Sequence, residues 1–382
     1  MALSRWIDIG IKLGLLVLSP IFFFLLCEVS VRIFAPQIHG WDGPDPHGTD
    51  PVLERIFRPN VTSGYIAADG RRVIISTNSM GFRGQREYGE KDSMVFRIAG
   101  LGDSFTNGSG VNDDETYLMV MEANVNRGRD DRTLRVETIN MAVDTYGTIK
   151  ERIFLERYGL RMQPDLITVA FLPNDLWDNI GWLERQRRDK ELKAEARRDD
   201  ISPLSPLIGL VYQLKARSHF IVWLGKKLMA MPGVYRFAYR NRPDKFDYTS
   251  PDNRKQIGEA YAVVNDELGR IKHLADSIGA RVALISIPLR YQMVTGMDDI
   301  KGDIRYLDKL LSGSAEKWGI EFVPLLDTLR EAGSIQECYF PMDGHLNRDG
   351  HRVVGEYLAN WLRSRAWFRG AGFSEIDDEL LE

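Results

Sequence analysis

From residue 93 onward the chain repeats one pattern: a short apolar run, then a stretch with apolar residues every three or four positions. The runs are Val95–Gly100, Leu134–Val143, Leu166–Phe171, Arg281–Ile287 and Ile320–Pro324. Runs this short, rich in Val, Ile and Leu, read as buried strands. Between them, Ile257, Tyr261, Val264, Leu268, Ile271 and Leu274 recur at helical spacing over 253–278, and Gly279 suits the position after that helix. Thr148-Ile-Lys-Glu151 reads as a capping box opening a helix with Ile149, Ile153 and Phe154 on one side. Val353, Val354, Tyr357, Leu358, Trp361 and Leu362 form a further stripe near the C-terminus. Strands alternating with helices predict a parallel sheet covered on both faces. The expected fold is α/β: a three-layer, doubly wound (flavodoxin-like) sheet of five parallel strands. In such sheets functional groups gather beyond the carboxyl ends of the strands.

The bulk numbers suit that domain: 382 residues, 44% hydrophobic and 27% charged. A net charge of −4 supplies no basic field for nucleic acid. The two cysteines, Cys27 and Cys338, are not expected to pair, because Cys27 lies in an apolar segment. That segment, LGLLVLSPIFFFLLC from Leu13 to Cys27, is flanked by Ile9, Ile11, Val29, Val31, Ile33 and Phe34. With its flanks it approaches the roughly 20 apolar residues that a spanning helix needs. Glu28 and Arg32, four apart, can pair on one face. Arg5 and Lys12 precede the run, whereas Asp42, Asp45, Asp50 and Glu54 outnumber Arg32 and Arg55 beyond it. The positive-inside rule then puts the N-terminus in the cytoplasm and the large domain on the periplasmic, extracytoplasmic side. A cleaved signal peptide and a buried core helix are the rival readings. No small-x-small site follows the run, so an uncleaved transmembrane anchor is preferred.

The expected division is an anchor over 1–35, an extended tether with a small strand region over 36–92, and a main domain over 93–175 and 253–368. A helical insertion over 176–252 interrupts that domain, and an acidic tail follows over 369–382. The tether is rich in Pro and Gly, with Arg72–Ser76 as its strand. In the insertion, Leu207, Leu210, Val211, Leu214, Phe220, Trp223 and Leu224 are interleaved with Lys215, Arg217, Lys226 and Lys227. It reads as a lid packed on the main domain, with a surface lying on anionic lipid as the second reading.

The first strand run leads into Gly100-Leu-Gly-Asp-Ser-Phe-Thr-Asn-Gly-Ser-Gly110. A nucleophilic serine needs exposure at a strand end, a nearby base, and donors for the oxyanion that forms. Ser104 has the first, and the glycines beside it let backbone N–H groups approach a substrate. Alone, Ser104 reads equally well as a helix cap. In Pro341-Met-Asp-Gly-His-Leu-Asn347, Asp343 and His345 project to one side of an extended segment. There a carboxylate can set the imidazole tautomer and stabilise its protonated form. The plain alternative is a surface turn. Asn347 suits the cap of the following helix. In Phe171-Leu-Pro-Asn-Asp175, Asn174 can donate its amide to a developing negative oxygen, while Asp175 reads as the start of the next helix. In Asn140-Met-Ala-Val143, the Ala142 N–H at a strand end can be another donor. His39 and His47 fall in the tether, and His219, His273 and His351 fall on helical patterns. No HExxH, paired CxxC or Walker lysine loop supports metal hydrolysis or nucleotide use.

These four pieces, in this order, resemble the SGNH/GDSL hydrolase superfamily over roughly residues 95–365. The resemblance implies Ser104 as nucleophile, His345 as base oriented by Asp343, and an oxyanion hole of Ser104, Ala142 and Asn174, with no cofactor. The chain departs from the usual blocks in three places. Ala142 and Pro173 stand where glycine is common, and the last block is Asp-x-His rather than Asp-x-x-His. The shorter block is similar to the branch that includes membrane-anchored or periplasmic proteins of polysaccharide O-acetylation, such as the alginate system. The prelude Thr77-Asn-Ser-Met-Gly-Phe-Arg-Gly84 and the anchor with Glu28 and Arg32 resemble anchored bacterial members. That branch implies a serine esterase or O-acyltransferase acting on an O-acylated small molecule or polysaccharide, with acetyl as the acyl group. It also implies membrane acyltransferase or export proteins as partners. The competing class is a silent scaffold binding glycan or protein partners; against it, Ser104, Asn174 and His345 all stand.

Overall fold

The computed structural model describes residues 2–35, 37, 41–67, 69–129, 134–192, 218–229, 231, 234, 248–293, 302–333, 335–340 and 344–371. Helix α1 (Ala2–Phe34) opens the chain, and its Gly14–Phe34 stretch is long and apolar enough to cross a membrane, as a signal sequence also can be. Arg32 Nε donates to Glu28 Oε1 at 2.7 Å, the expected pair one turn apart.

The segment expected to be an extended tether is folded. Strands β1 (His47–Gly48) and β2 (Ile56–Phe57) pair antiparallel, as do β3 (Thr62–Ile66) and β4 (Arg72–Ser76). Leu53, Phe57, Val73, Ile75 and Phe82 are buried, and Leu53, Phe57 and Phe82 enter the main core. Leu53, Phe57 and Phe82 attach this segment to the main core from separate points along the chain, whereas Val73 and Ile75 form the alternating buried face of β4. Long-range bonds add to it: Tyr146 Oη donates to the Arg55 carbonyl at 2.7 Å, and Trp182 Nε1 to the Val52 carbonyl at 3.0 Å.

Strands β5 (Val95–Leu101), β6 (Arg135–Asn140), β7 (Leu166–Phe171), β8 (Arg281–Ser286) and β9 (Glu321–Pro324) form a parallel sheet in the order β6-β5-β7-β8-β9. The second strand is shorter than its apolar run: pairing ends at Asn140, although Met141 N and Val143 N still donate to the Gly100 and Gly102 carbonyls. Alternate residues face opposite layers, as the pleat requires. Ile167, Val169 and Phe171 meet α4 (Thr148–Phe154), α7 (Arg254–Ser277) and α8 (Tyr306–Trp318). Leu166 and Ala170 meet α3 (Tyr117–Val125) and α9 (Arg348–Ser364) on the other side. The fold is the expected three-layer α/β sheet. Since β5 continues to β6 on one side and the chain then returns to β7 on the other, the carboxyl ends of β5 and β7 flank the topological switch point.

Helix ends follow local chemistry in two cases and tertiary contacts in a third. Asn347 caps α9, its Oδ1 accepting from Gly350 N at 3.0 Å. Gly279, at φ +72°, follows the end of α7. The capping box at Thr148 is not formed. Gly147 occupies the cap position, and Asn179, from α5 (Asp175–Leu192), accepts from Ile149 N at 3.0 Å and donates to Thr148 Oγ1 at 2.7 Å. Helix α6 (His219–Met229) belongs to the insertion, and the expected lid otherwise falls largely outside the described residues.

Candidate active site

Strand β5 ends in a turn whose next residues are Gly102, Asp103 and Ser104. Asp103 caps the one-turn helix α2 (Ser104–Asn107), its Oδ1 accepting from Phe105 N at 2.9 Å. Ser104 is the first residue of that helix and is half-buried. Its Oγ lies 2.8 Å from His345 Nε2, across a sequence separation of 241 residues. The His345 ring is tilted against Phe105 with centroids 4.9 Å apart, and the His345 carbonyl accepts from Phe340 N at 2.8 Å. The serine and histidine singled out in the sequence therefore meet at the carboxyl edge of the sheet. Asp343 lies outside the described residues.

Asn174 follows β7 and comes to the same edge. Its Nδ2 donates to Asp103 Oδ2 at 3.2 Å and to Asp178 Oδ2 at 3.0 Å. Ala142 follows β6 and is buried. Its N–H donates to Asn140 Oδ1 at 3.2 Å, while Asn140 Nδ2 donates to the Thr106 carbonyl at 2.8 Å. Both amide donors thus rest on internal acceptors, two of those contacts being long for their type. Asp175 starts α5, and its Oδ2 accepts from Leu172 N at 3.0 Å.

The glycines of the Gly100–Gly110 turn make room for packing partners rather than open space at the serine. A Cβ on Gly100 would stand 2.3 Å from Leu118 Cδ1. Gly110 has φ +97°, and a Cβ there would stand 2.3 Å from Phe340 Cε2, the residue bonded to the His345 carbonyl. Close approach at Gly110 therefore joins the serine segment to the histidine segment.

Burial dominates the electrostatics. Asp103 is pushed up to about 6 by desolvation, against the hydrogen bonds from Phe105 and Asn174. Asp178 is raised by burial as well. Beneath them, Glu151 and Asp175 are fully buried, and both Glu151 oxygens and Asp175 Oδ1 lack hydrogen-bond partners among the described residues. Burial, then the charge of Asp103, lifts Glu151 well above the ordinary carboxylate range, and burial with Glu151 and Asp103 lifts Asp175 likewise.

Several residues at this edge escaped the sequence reading. Arg83, from the prelude, is buried; it donates through Nη1 to the Asn107 and Gly108 carbonyls, the latter at 2.9 Å, and through Nη2 to the Val111 carbonyl at 2.5 Å. Asp144 accepts from Asn107 Nδ2 at 2.8 Å and lies 3.2 Å from Nε2 of His47, a residue read as part of a tether. Thr145 beside it has φ +69°, a costly value for a β-branched residue. Only the position of Asp144 just past a strand end hinted at this placement. His351 is buried in α9 and accepts from Tyr117 N at 3.1 Å, which makes it a structural residue.

A model of the GDSL-like lipase/acylhydrolase family matches residues 101–353. No curated protein matches the sequence. Similar solved structures include a member of the lipolytic protein G-D-S-L family from Veillonella parvula, at 16% identity, covering 70% of this chain and 98% of that one, with a TM-score of 0.38. A variant of Axe2, an acetyl xylan esterase from Geobacillus stearothermophilus, matches at 11% identity, covering 73% and 96%, with a TM-score of 0.38. The psychrotrophic esterase EstA from Pseudoalteromonas sp. matches at 13% identity, covering 70% and 100%, with a TM-score of 0.37.

Proposed function

Because the chain belongs to the GDSL-like lipase/acylhydrolase family, and so acts on esters, we propose that Ser104 is its nucleophile and His345 its general base. The observation that carries this reading is the 2.8 Å contact between Ser104 Oγ and His345 Nε2. As the Ser104 hydroxyl attacks an ester carbonyl, its proton passes to His345 Nε2. Asp343 orients the ring through the other nitrogen and stabilises the imidazolium. The tetrahedral oxyanion is held by the Ser104 and Ala142 N–H groups with the Asn174 amide. The last two must leave Asn140 Oδ1 and one of their carboxylate partners to do so, a tightening common on passing from resting enzyme to complex. His345 then returns the proton to the departing alkoxide, leaving an acyl-Ser104 ester. Water completes an esterase cycle, whereas a sugar hydroxyl completes an O-acyl transfer through the same residues.

The reading extends to the substrate. The short Asp-x-His block, the Thr77–Gly84 prelude and the apolar N-terminal helix support a membrane-anchored enzyme with its catalytic domain outside the cytoplasm. Its substrate is then an acetylated envelope or exported carbohydrate, and its partners are membrane acyltransferase or export proteins. That Ser104, Asn174 and His345 are all present supports an enzyme over a silent scaffold.

The test is hydrolysis of p-nitrophenyl acetate by the purified chain and by Ser104→Ala. The substitution is expected to abolish turnover while leaving the melting curve unchanged, and mass spectrometry of the native enzyme after rapid acid quench is expected to find the acyl group on Ser104. Equal turnover by both proteins would sink the assignment.

A further inference from the structure

Glu28 is an anomaly that the catalytic reading leaves unexplained. It is the one carboxylate within the apolar stretch Gly14–Phe34, where a charge is expensive unless it finds partners. Its neighbours Leu25, Leu26, Val29 and Ile33 are each more than half exposed, yet Glu28 is 8% exposed. Its partners come from the insertion, about 190 residues away. Glu28 Oε2 accepts from Ser218 Oγ at 2.7 Å and from Phe220 N at 2.8 Å. Glu28 Oε1 accepts from His219 N at 3.0 Å, as well as from Arg32 Nε. The carboxylate therefore covers the first N–H groups of helix α6, and Ser218 completes the cap by accepting from Ile221 N at 3.1 Å. Two further contacts fix the same end. Gln37 N donates to His219 Nδ1 at 2.7 Å, and the Phe24 and Phe220 rings meet edge-on at 5.7 Å.

Helix α6 is amphipathic. Ile221, Leu224 and Leu228 share a face by helical spacing, and Leu224 and Leu228 remain 37% and 39% exposed, with Met231 beyond them at 52%. Lys226 and Lys227 stand at other positions around the helix. This face is exposed, as are Leu25, Leu26, Val29 and Ile33 on α1. Glu28 lies six residues before the end of α1, about 9 Å along its axis. That depth matches where interfacial helices sit, at the boundary of headgroups and acyl chains.

We propose that α6 is a second membrane element: an interfacial helix with its Leu224–Leu228 face in the lipid, locked to the anchor by Glu28. The proposal rests on reading α1 as a membrane anchor. It adds that α1 is retained in the working protein, because Phe24, Glu28 and Gln37 form the seat of α6. It also ties the chain leaving the site through α5 to the bilayer at a second point.

The experiment uses the full chain in nanodiscs of phosphatidylcholine with phosphatidylglycerol. Nitroxide labels are placed singly at Leu224→Cys, Leu228→Cys and Lys227→Cys in a Cys27→Ala, Cys338→Ala background. Collision with oxygen and with a water-soluble nickel chelate reports depth. Labels at 224 and 228 are expected to favour oxygen several-fold more than the label at 227. Adding Glu28→Ala is expected to erase that difference while ester turnover and resistance to alkaline extraction persist. Three labels equally open to nickel would overturn the proposal, and so would labels at 224 and 228 shielded from both reagents, which would mean a protein neighbour covers the face. Release of the chain by alkaline extraction, or a mature N-terminus beyond residue 34, would instead overturn the anchor reading itself. The Ser104→Ala comparison tests catalysis independently.

Discussion

Asn174 shows how the candidate site is held before any substrate arrives. Its amide spans Asp103 and Asp178, so it is aimed by two carboxylates rather than by packing alone. Removing one oxyanion donor typically lowers kcat by about 10²–10³-fold. Asn174→Ala is expected to lower kcat by that factor with little change in KM, which steady-state kinetics on p-nitrophenyl acetate will read. Glu151 carries a different prediction. Its raised pKa means that the native state keeps a proton which the unfolded chain releases above its ordinary value of 4.5. The native state then binds more protons, so this group's contribution to stability falls as pH rises through that value. Glu151→Gln, isosteric and uncharged, is expected to melt about 2–4 °C above the parent at pH 8, the shift that ~1 kcal/mol produces in a domain of this size. The gap should close toward pH 4. Coincident melting temperatures at every pH would mean that Glu151 is not a burdened acid.

At the scale of elements, the one-turn helix α2 is too short to stabilise itself, since a single turn fixes several residues for few hydrogen bonds. Arg83 supplies the missing donors. Its guanidinium meets the carbonyls of Asn107, Gly108 and Val111, and Nε pairs with Asp113 Oδ1 at 3.0 Å. This gives the Thr77–Gly84 prelude a physical role: it locks the segment that follows Ser104. Lysine keeps the charge but not the planar fork. Arg83→Lys is expected to destabilise the protein by about 3 kcal/mol, from buried carbonyls left without donors. Urea unfolding measures this loss. An unchanged midpoint would show that the fork is dispensable.

Across the whole molecule, residues 41–67 and 69–92 are bonded to and packed on the main domain. Tyr65 Oη accepts from Gly110 N at 2.6 Å, at the end of the Gly100–Gly110 turn, and Lys150 Nζ reaches Glu54 Oε2 at 2.7 Å. Within this segment, Asp42 ties its start to β3 and β4, accepting from Gly64 N and the Arg72 guanidinium. A soluble fragment beginning at Trp41 is therefore expected to retain the ester turnover of the full chain. One beginning at Asp69 is expected to aggregate or to lose most of it, as size-exclusion chromatography and the same ester assay will show. Comparable turnover from the two fragments would return 41–66 to the status of a tether.

Local period was enough to read the sheet, the long helices and the Asn347 cap, because burial on one face repeats along an element and so marks the residues themselves. The order of the four blocks likewise pointed to Ser104 and His345 before any geometry was known. Contacts between distant segments have no such repeat. Val52-Leu53 and Ile56-Phe57 are two short apolar pairs with no helical or strand period, and only packing makes Leu53 and Phe57 core. The helix at Thr148 looked self-capped, yet Asn179 from another helix caps it. The sequence by itself determined the α/β sheet and the chemical groups available at its carboxyl edge. The tertiary structure alone decided which donors engage those groups, from Arg83 beneath α2 to Glu28 at α6. Such bonds depend on where the chain returns in space, and no pattern of neighbouring residues encodes that.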